Sequence, residues 1–187
     1  MPNLIRAFIA VKIPSTPALR EVISQLALMG RPVKSVAADK LHVTLKFLGD
    51  TNSELIPEVG RILHAVCESK SAFDLRIVGC GAFPHAARPS VIWAGLENTE
   101  TLIELSVELE TQLQPLGFSA EKREFQPHLT LARVKSKPPG ELATLLAERA
   151  STEFGVASIK SVELRQSELR PEGPKYTLLA SVQLSRS

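Results

Sequence analysis

The feature that most constrains this chain is a short word it uses twice. His42-Val43-Thr44-Leu45 and His128-Leu129-Thr130-Leu131 share the pattern His-x-Thr-x. They lie 128 − 42 = 86 residues apart, close to half of the 187-residue length. The surrounding segments follow the same shift. It lays the helical stretch 53–69 on 139–150, the strand-like stretch 4–12 on 90–96, the helical stretch 16–29 on 100–114, and 90–96 near 176–182. A chain built this way is expected to be one domain over 1–187 with an internal repeat, its halves about 1–90 and 91–187.

The local pattern supplies the elements. Residues 41–48 and 127–134 alternate apolar and polar, the period of a half-buried strand. Strands are also expected at 4–12, 73–79, 90–96, 156–169 and 175–184. Helices are expected at 16–29, capped by Ser15 or Thr16 and stopped at Gly30, and at 53–69, 100–114 and 139–150. Many strands with four helices, and no glycine-rich turn from strand to helix, disfavour a parallel nucleotide-binding sheet. The expected class is α+β with mainly antiparallel sheets.

Composition narrows the partners. Twenty-two Lys and Arg against 20 Asp and Glu give +2, too even for a polybasic nucleic-acid binder but compatible with a local basic cleft. Cys67 and Cys80 form no C-x-x-C pair and are expected as reduced thiols in a cytoplasmic protein. The apolar run Ala7 to Val11 is too short for a secretory signal, and nothing approaches the ~20 apolar residues of a membrane helix.

Strand parity then puts His42 with Thr44, and His128 with Thr130, on one face, with Val43, Leu45, Leu129 and Leu131 on the other. One such pair is an ordinary surface feature. Two at matching places of a repeat are expected to converge. Two hydroxyls can donate to the oxygens of a phosphate, and two imidazoles can divide acid and base roles near neutral pH. No His-Glu-x-x-His word or nearby carboxylate cluster supplies metal ligands, so neither metal nor other cofactor is expected. His64, on a helix, and His85, in a loop, are expected at the surface without a role. Trp93 and Tyr176 are expected in the core or at its rim. Lys46 shares the parity of His42 and Thr44, and reads either as a cation at the cleft lip or as a solvated side chain. Phe47 has core parity, with base stacking as its other reading.

At these residues the chain resembles the 2H phosphoesterase superfamily, and more closely its RNA 2′,3′-cyclic phosphodiesterases, also called 2′-5′ RNA ligases. The resemblance runs through Arg6-Ala7-Phe8-Ile9-Ala10, the two histidine words, Gly81-Ala82-Phe83-Pro84, Val91-Ile92-Trp93-Ala94-Gly95, Phe125-Gln126-Pro127, Ser167-Glu168-Leu169 and Tyr176. It implies a bilobal, pseudo-twofold fold, two antiparallel sheets facing a central cleft with helices outside. It implies a monomer that hydrolyses 2′,3′-cyclic phosphate ends of RNA, with tRNA fragments or nucleotides as candidate substrates, and slow ligation as the reverse reaction. His42 is then the proton donor and His128 the acceptor, Thr44 and Thr130 hold phosphate oxygens, and Arg133 is a phosphate-side cation. Parity objects to Arg133, which needs a twist or bulge to reach the histidine face. Asp39-Lys40 and Ser90 stand where relatives often carry Asn and Arg, which bears on substrate preference. Two alternatives remain: a phosphodiesterase for a small cyclic nucleotide or ADP-ribose cyclic phosphate, and a nucleotide- or RNA-binding module without turnover.

Overall fold

In the computed structural model, which describes residues 3–121, 123–171 and 173–186, the strands assemble into two antiparallel sheets. The first has the order β3-β1-β8-β9 and the second β2-β6-β5-β4-β7. In chain order the strands are β1 (Leu4–Lys12), β2 (Val33–Ser35), β3 (His42–Asn52), β4 (Phe73–Phe83), β5 (Val91–Glu97), β6 (Leu129–Val134), β7 (Glu153–Ile159), β8 (Ser161–Arg170) and β9 (Gly173–Gln183). The helices are α1 (Pro17–Leu28), α2 (Ile56–Cys67), α3 (Glu100–Leu113) and α4 (Glu141–Glu148).

The order β3-β1-β8 in one sheet answers β6-β5-β4 in the other. The 86-residue shift carries β3 onto β6, β1 onto β5 and β4 onto β8. Each sheet therefore contains strands from both sequence halves: β4 pairs with β5, and β8 with β1. The helices cross over as well. α1 packs on β2, β6 and β7, whereas α2 and α3 pack together behind the sheet of β3, β8 and β9.

The α1 start follows its sequence. Thr16 caps it by accepting the Leu19 N–H at 3.1 Å, and Pro17 sits in the first turn. Leu19, Val22, Ile23 and Leu26 form its buried stripe. One sequence expectation needs correction, and one strand was not expected. The stretch 156–169 is not one strand: Lys160 separates β7 and β8, which belong to different sheets. β2, three residues long, carried no pattern; it exists because it pairs with β6 at Val33–Val134, Lys34–Arg133 and Ser35–Ala132. Cys67 and Cys80 are unpaired and buried, and burial pushes both thiols up to about 11.

Candidate active site

The two histidines stand at matching places, at the start of β3 and just before β6, and the Cα atoms of these strands approach within 8 Å across the two sheets. Each ring is held the same way. His42 Nδ1 is 2.8 Å from the Lys40 carbonyl oxygen, and His128 Nδ1 is 2.8 Å from that of Gln126, two residues upstream in both cases. A carbonyl only accepts, so Nδ1 carries the proton and donates. Nε2 remains as the nitrogen available to a substrate on both rings.

Beyond each threonine the strand is bulged at the same point. Along β3, Thr44 pairs with Ala10 but Lys46 with Ile9, leaving Leu45 without an opposite residue. Along β6, Thr130 pairs with Trp93 but Ala132 with Ile92, leaving Leu131 over. The carbonyls that leave the ladder find other donors. Ser106 Oγ donates to Leu45 O at 3.0 Å, and Val36 N–H to Leu131 O at 2.8 Å.

An extra residue reverses the alternation. Phe47 pairs with Phe8, and Phe8 shares a face of β1 with Ala10, the partner of Thr44. Phe47 therefore lies on the histidine face, where its side chain is 57% exposed and its ring is 6.3 Å from that of Phe8. Arg133 pairs with Val91, two residues from Trp93, so it too joins the face of Thr130 and is exposed. The bulge supplies what parity demanded for Arg133, and it corrects the core orientation expected for Phe47.

Lys46 is corrected in the opposite direction. It is 3% exposed on the far side of β3, and its Nζ donates to both Glu110 oxygens, at 2.9 and 2.8 Å, and to Ser119 O at 2.7 Å. It ties β3 to α3 and to the loop after it, and offers no cation to the cleft.

Phe8 and Phe83 were given no role from sequence, and Tyr176 and Trp93 were expected only in the core or at its rim; all four neighbour the site. The His42 ring is 5.3 Å from both Phe8 and Tyr176, whose ring stands edge-on to it at 84°. The His128 ring is 5.1 Å from Phe83, at 86°. Trp93 lies over Gly81, where a Cβ would come within 2.2 Å of the indole, and its buried Nε1–H makes no hydrogen bond. Tyr176 and Trp93 thus belong to the histidine face rather than to packing alone. The one signal for the bulge was the adjacent apolar pair Leu131-Ala132, which breaks the alternation; Lys46 hides the same break in the first copy. His64 and His85 are exposed.

Burial lowers the pKa of His42, the Lys40 carbonyl raises it, Arg165 and Arg133 lower it, and Glu163 raises it. Burial likewise raises the Tyr176 hydroxyl. Among the described residues no three His, Cys, Asp or Glu side chains come together as a metal site would require, and no helix is long and apolar enough to cross a membrane.

The family model of the 2′-5′ RNA ligase superfamily matches residues 10–168, both histidine strands included. The chain belongs to this superfamily. It is 36% identical over 171 residues to an RNA 2′,3′-cyclic phosphodiesterase of Aeropyrum pernix, covering 90% of this chain and 96% of that protein. It is 35% identical over 178 residues to one of Methanothermobacter thermautotrophicus, covering 92% and 95%. Among solved structures, E. coli LigT complexed with 3′-AMP matches with a TM-score of 0.75 at 25% identity, over 98% of this chain and all of that one. A Thermus thermophilus protein matches with a TM-score of 0.78 at 29% identity, over 97% and 99%. Membership in the 2′-5′ RNA ligase superfamily agrees with the two-sheet architecture.

Proposed function

We propose that this chain hydrolyses the 2′,3′-cyclic phosphate at an RNA end to a 2′-phosphate and a free 3′-hydroxyl, by acid–base catalysis from two histidines without a metal. The observation that carries the mechanism is the matched tethering of the two rings, each with Nδ1 committed to a carbonyl and Nε2 left over. The curated relatives named RNA 2′,3′-cyclic phosphodiesterases support the substrate.

His128 Nε2 takes a proton from water, whose oxygen attacks phosphorus as the P–O3′ bond breaks. His42 gives its Nε2 proton to the departing 3′ oxygen. His42 must be protonated for that step; burial lowers its pKa and opposes this, and the anionic phosphate bound beside it favours the charged ring. Thr44 and Thr130 donate to the nonbridging oxygens as charge builds, and Arg133 neutralises it. Phe47 offers an exposed ring for a base beside the site. With a 5′-hydroxyl in place of water, the same groups would join two RNA ends: the 5′ oxygen attacks phosphorus as the P–O3′ bond breaks, leaving a 2′-5′ phosphodiester and a free 3′-hydroxyl. The chain works as a monomer in the cytoplasm, where its two buried thiols stay reduced.

The test is an assay with excess chelator on a short RNA ending in a 2′,3′-cyclic phosphate, beside mononucleotide and ADP-ribose cyclic phosphates. Highest kcat/KM on the RNA is expected. Preference for a small cyclic phosphate would move the substrate to that class, and no turnover on any would make the chain a binding module.

A further inference from the structure

The cleft face of the His42 sheet holds an ion pair with no part in the mechanism above. Glu163 and Arg165, both on β8, are joined through Glu163 Oε2, which accepts from Arg165 Nε at 2.6 Å and Nη2 at 2.5 Å. Their side chains are only 15% and 9% exposed. Strand register fixes where they lie. Glu163 pairs with Ala10, which pairs on its other side with Thr44; Arg165 pairs with Phe8, which pairs with Phe47. Both belong to the face of His42 and Thr44.

Glu163 and Thr44 flank the same residue, Ala10, so nothing taller than a methyl separates them across β1. The carboxylate draws the guanidinium toward this row, away from its own register partner Phe8. Both bonds to Glu163 end on a single oxygen, so the pair is not the two-oxygen fork that arginine makes when it is committed to one carboxylate. Among the described residues Nη1 has no hydrogen-bond acceptor and is left over. Nη1 is not sealed from water, since Trp93 Nε1 is the one buried side-chain polar atom without a partner among the described residues, so its donors are open to a phosphate held by Thr44 and His42.

We propose that Arg165 is a second phosphate-binding cation, held in place by Glu163 and acting from the His42 sheet opposite Arg133 on the other. This rests on the phosphate site proposed above. The influence of Arg165 and Arg133 on both His42 and Tyr176 agrees, since it requires the two guanidinium groups to approach the same pair of rings from different sheets.

The probe is inorganic phosphate, with its dissociation constant measured directly by calorimetry and its inhibition constant measured against cyclic-phosphate RNA. Arg165→Gln should weaken phosphate binding at least tenfold, and Arg165→Lys, which keeps the charge but loses the planar guanidinium donors, about threefold. Glu163→Gln should bind phosphate as well as wild type or more tightly. The double variant Arg165→Gln/Glu163→Gln leaves no buried charge, so it is read even if Arg165→Gln alone does not fold; it should stay at least tenfold weak. Wild-type phosphate affinity in the double variant would show that the two charges serve only each other and would overturn the proposal. Because direct binding needs no turnover, that result is distinct from a failure of wild type to cleave cyclic-phosphate RNA, which would count against the proposed function instead.

Discussion

The two histidine strands are alike in their backbone and unlike in what surrounds it. Both place an imidazole tethered through Nδ1, a threonine two residues on, and a bulged leucine after it. Past the bulge the copies part. β3 presents Phe47 where β6 presents Arg133, and β3 buries Lys46 against α3 where β6 buries Ala132. His42 lies beside Tyr176 and the Glu163–Arg165 pair, whereas His128 lies beside Phe83. The shared part is what two-sided proton transfer to a phosphate requires. The unshared part gives one side the aromatic surface and the other the exposed charge, so in the proposed mechanism the division of labour would come from the neighbours rather than from the motif.

The largest effects should come from the shared part. His42→Ala and His128→Ala should each lower kcat by ~10²–10⁴, with a double variant little worse than either single one, since the two rings act in one step. Near-native kcat in either single variant with folding intact would break the symmetry claimed here. Thr44→Ala and Thr130→Ala should cost about 2–4 kcal/mol of transition-state stabilisation at most, by analogy with oxyanion donors, read from kcat.

The unshared positions should separate. Arg133→Ala removes a charged contact of about 1.5–3 kcal/mol, on the order of 10–100-fold in kcat/KM, on RNA and mononucleotide substrates alike. Phe47→Ala should cost about tenfold, from lost stacking, and appear mainly in KM. Equal effects in kcat from both would mean the two sides are interchangeable after all.

Lys46→Met tests the orientation of the strand beyond the bulge. Removing one partner of a buried ion pair should lower unfolding stability by about 3 kcal/mol, toward the low end of the range because Glu110 keeps some contact with water. Urea denaturation checks this, with kcat per folded molecule within about twofold of wild type. A large loss of kcat at unchanged stability would return Lys46 to the cleft.

The smallest effect is on stability in acid. Folding lowers the pKa of His42 below its unfolded value of 6.5, so the unfolded chain binds more protons as the pH falls through that value. The stability of wild type relative to His42→Gln should therefore be constant above about pH 7.5 and decline below about pH 6.5. A relative stability that rises on acidification would reverse the sign assigned to the burial of His42.

Much of this was legible because the repeat and the alternation are local. The period-2 words placed both strands, and the shared shift placed their threonines. Register was not legible. Whether Lys46 or Phe47 faces the cleft depends on one unpaired residue, Leu45, whose carbonyl is satisfied by Ser106 sixty-one positions away. Tyr176, Phe83 and Arg165 reach the histidines only because β4 and β8 each join the sheet of the other half, a tertiary exchange without a sequence period. β2 likewise exists only because β6 offers it a partner.

The central claim is that one imidazole must be neutral and the other protonated in the same turnover. It is tested most directly by kcat/KM as a function of pH on an RNA 2′,3′-cyclic phosphate, with excess chelator and at fixed ionic strength because RNA affinity varies with salt. The account predicts a bell with its maximum near neutrality, its two limbs belonging to the coupled pair. A plateau from about pH 7 to pH 10 with chemistry rate-limiting, or activity that disappears with the chelator and returns with one divalent ion, would contradict it.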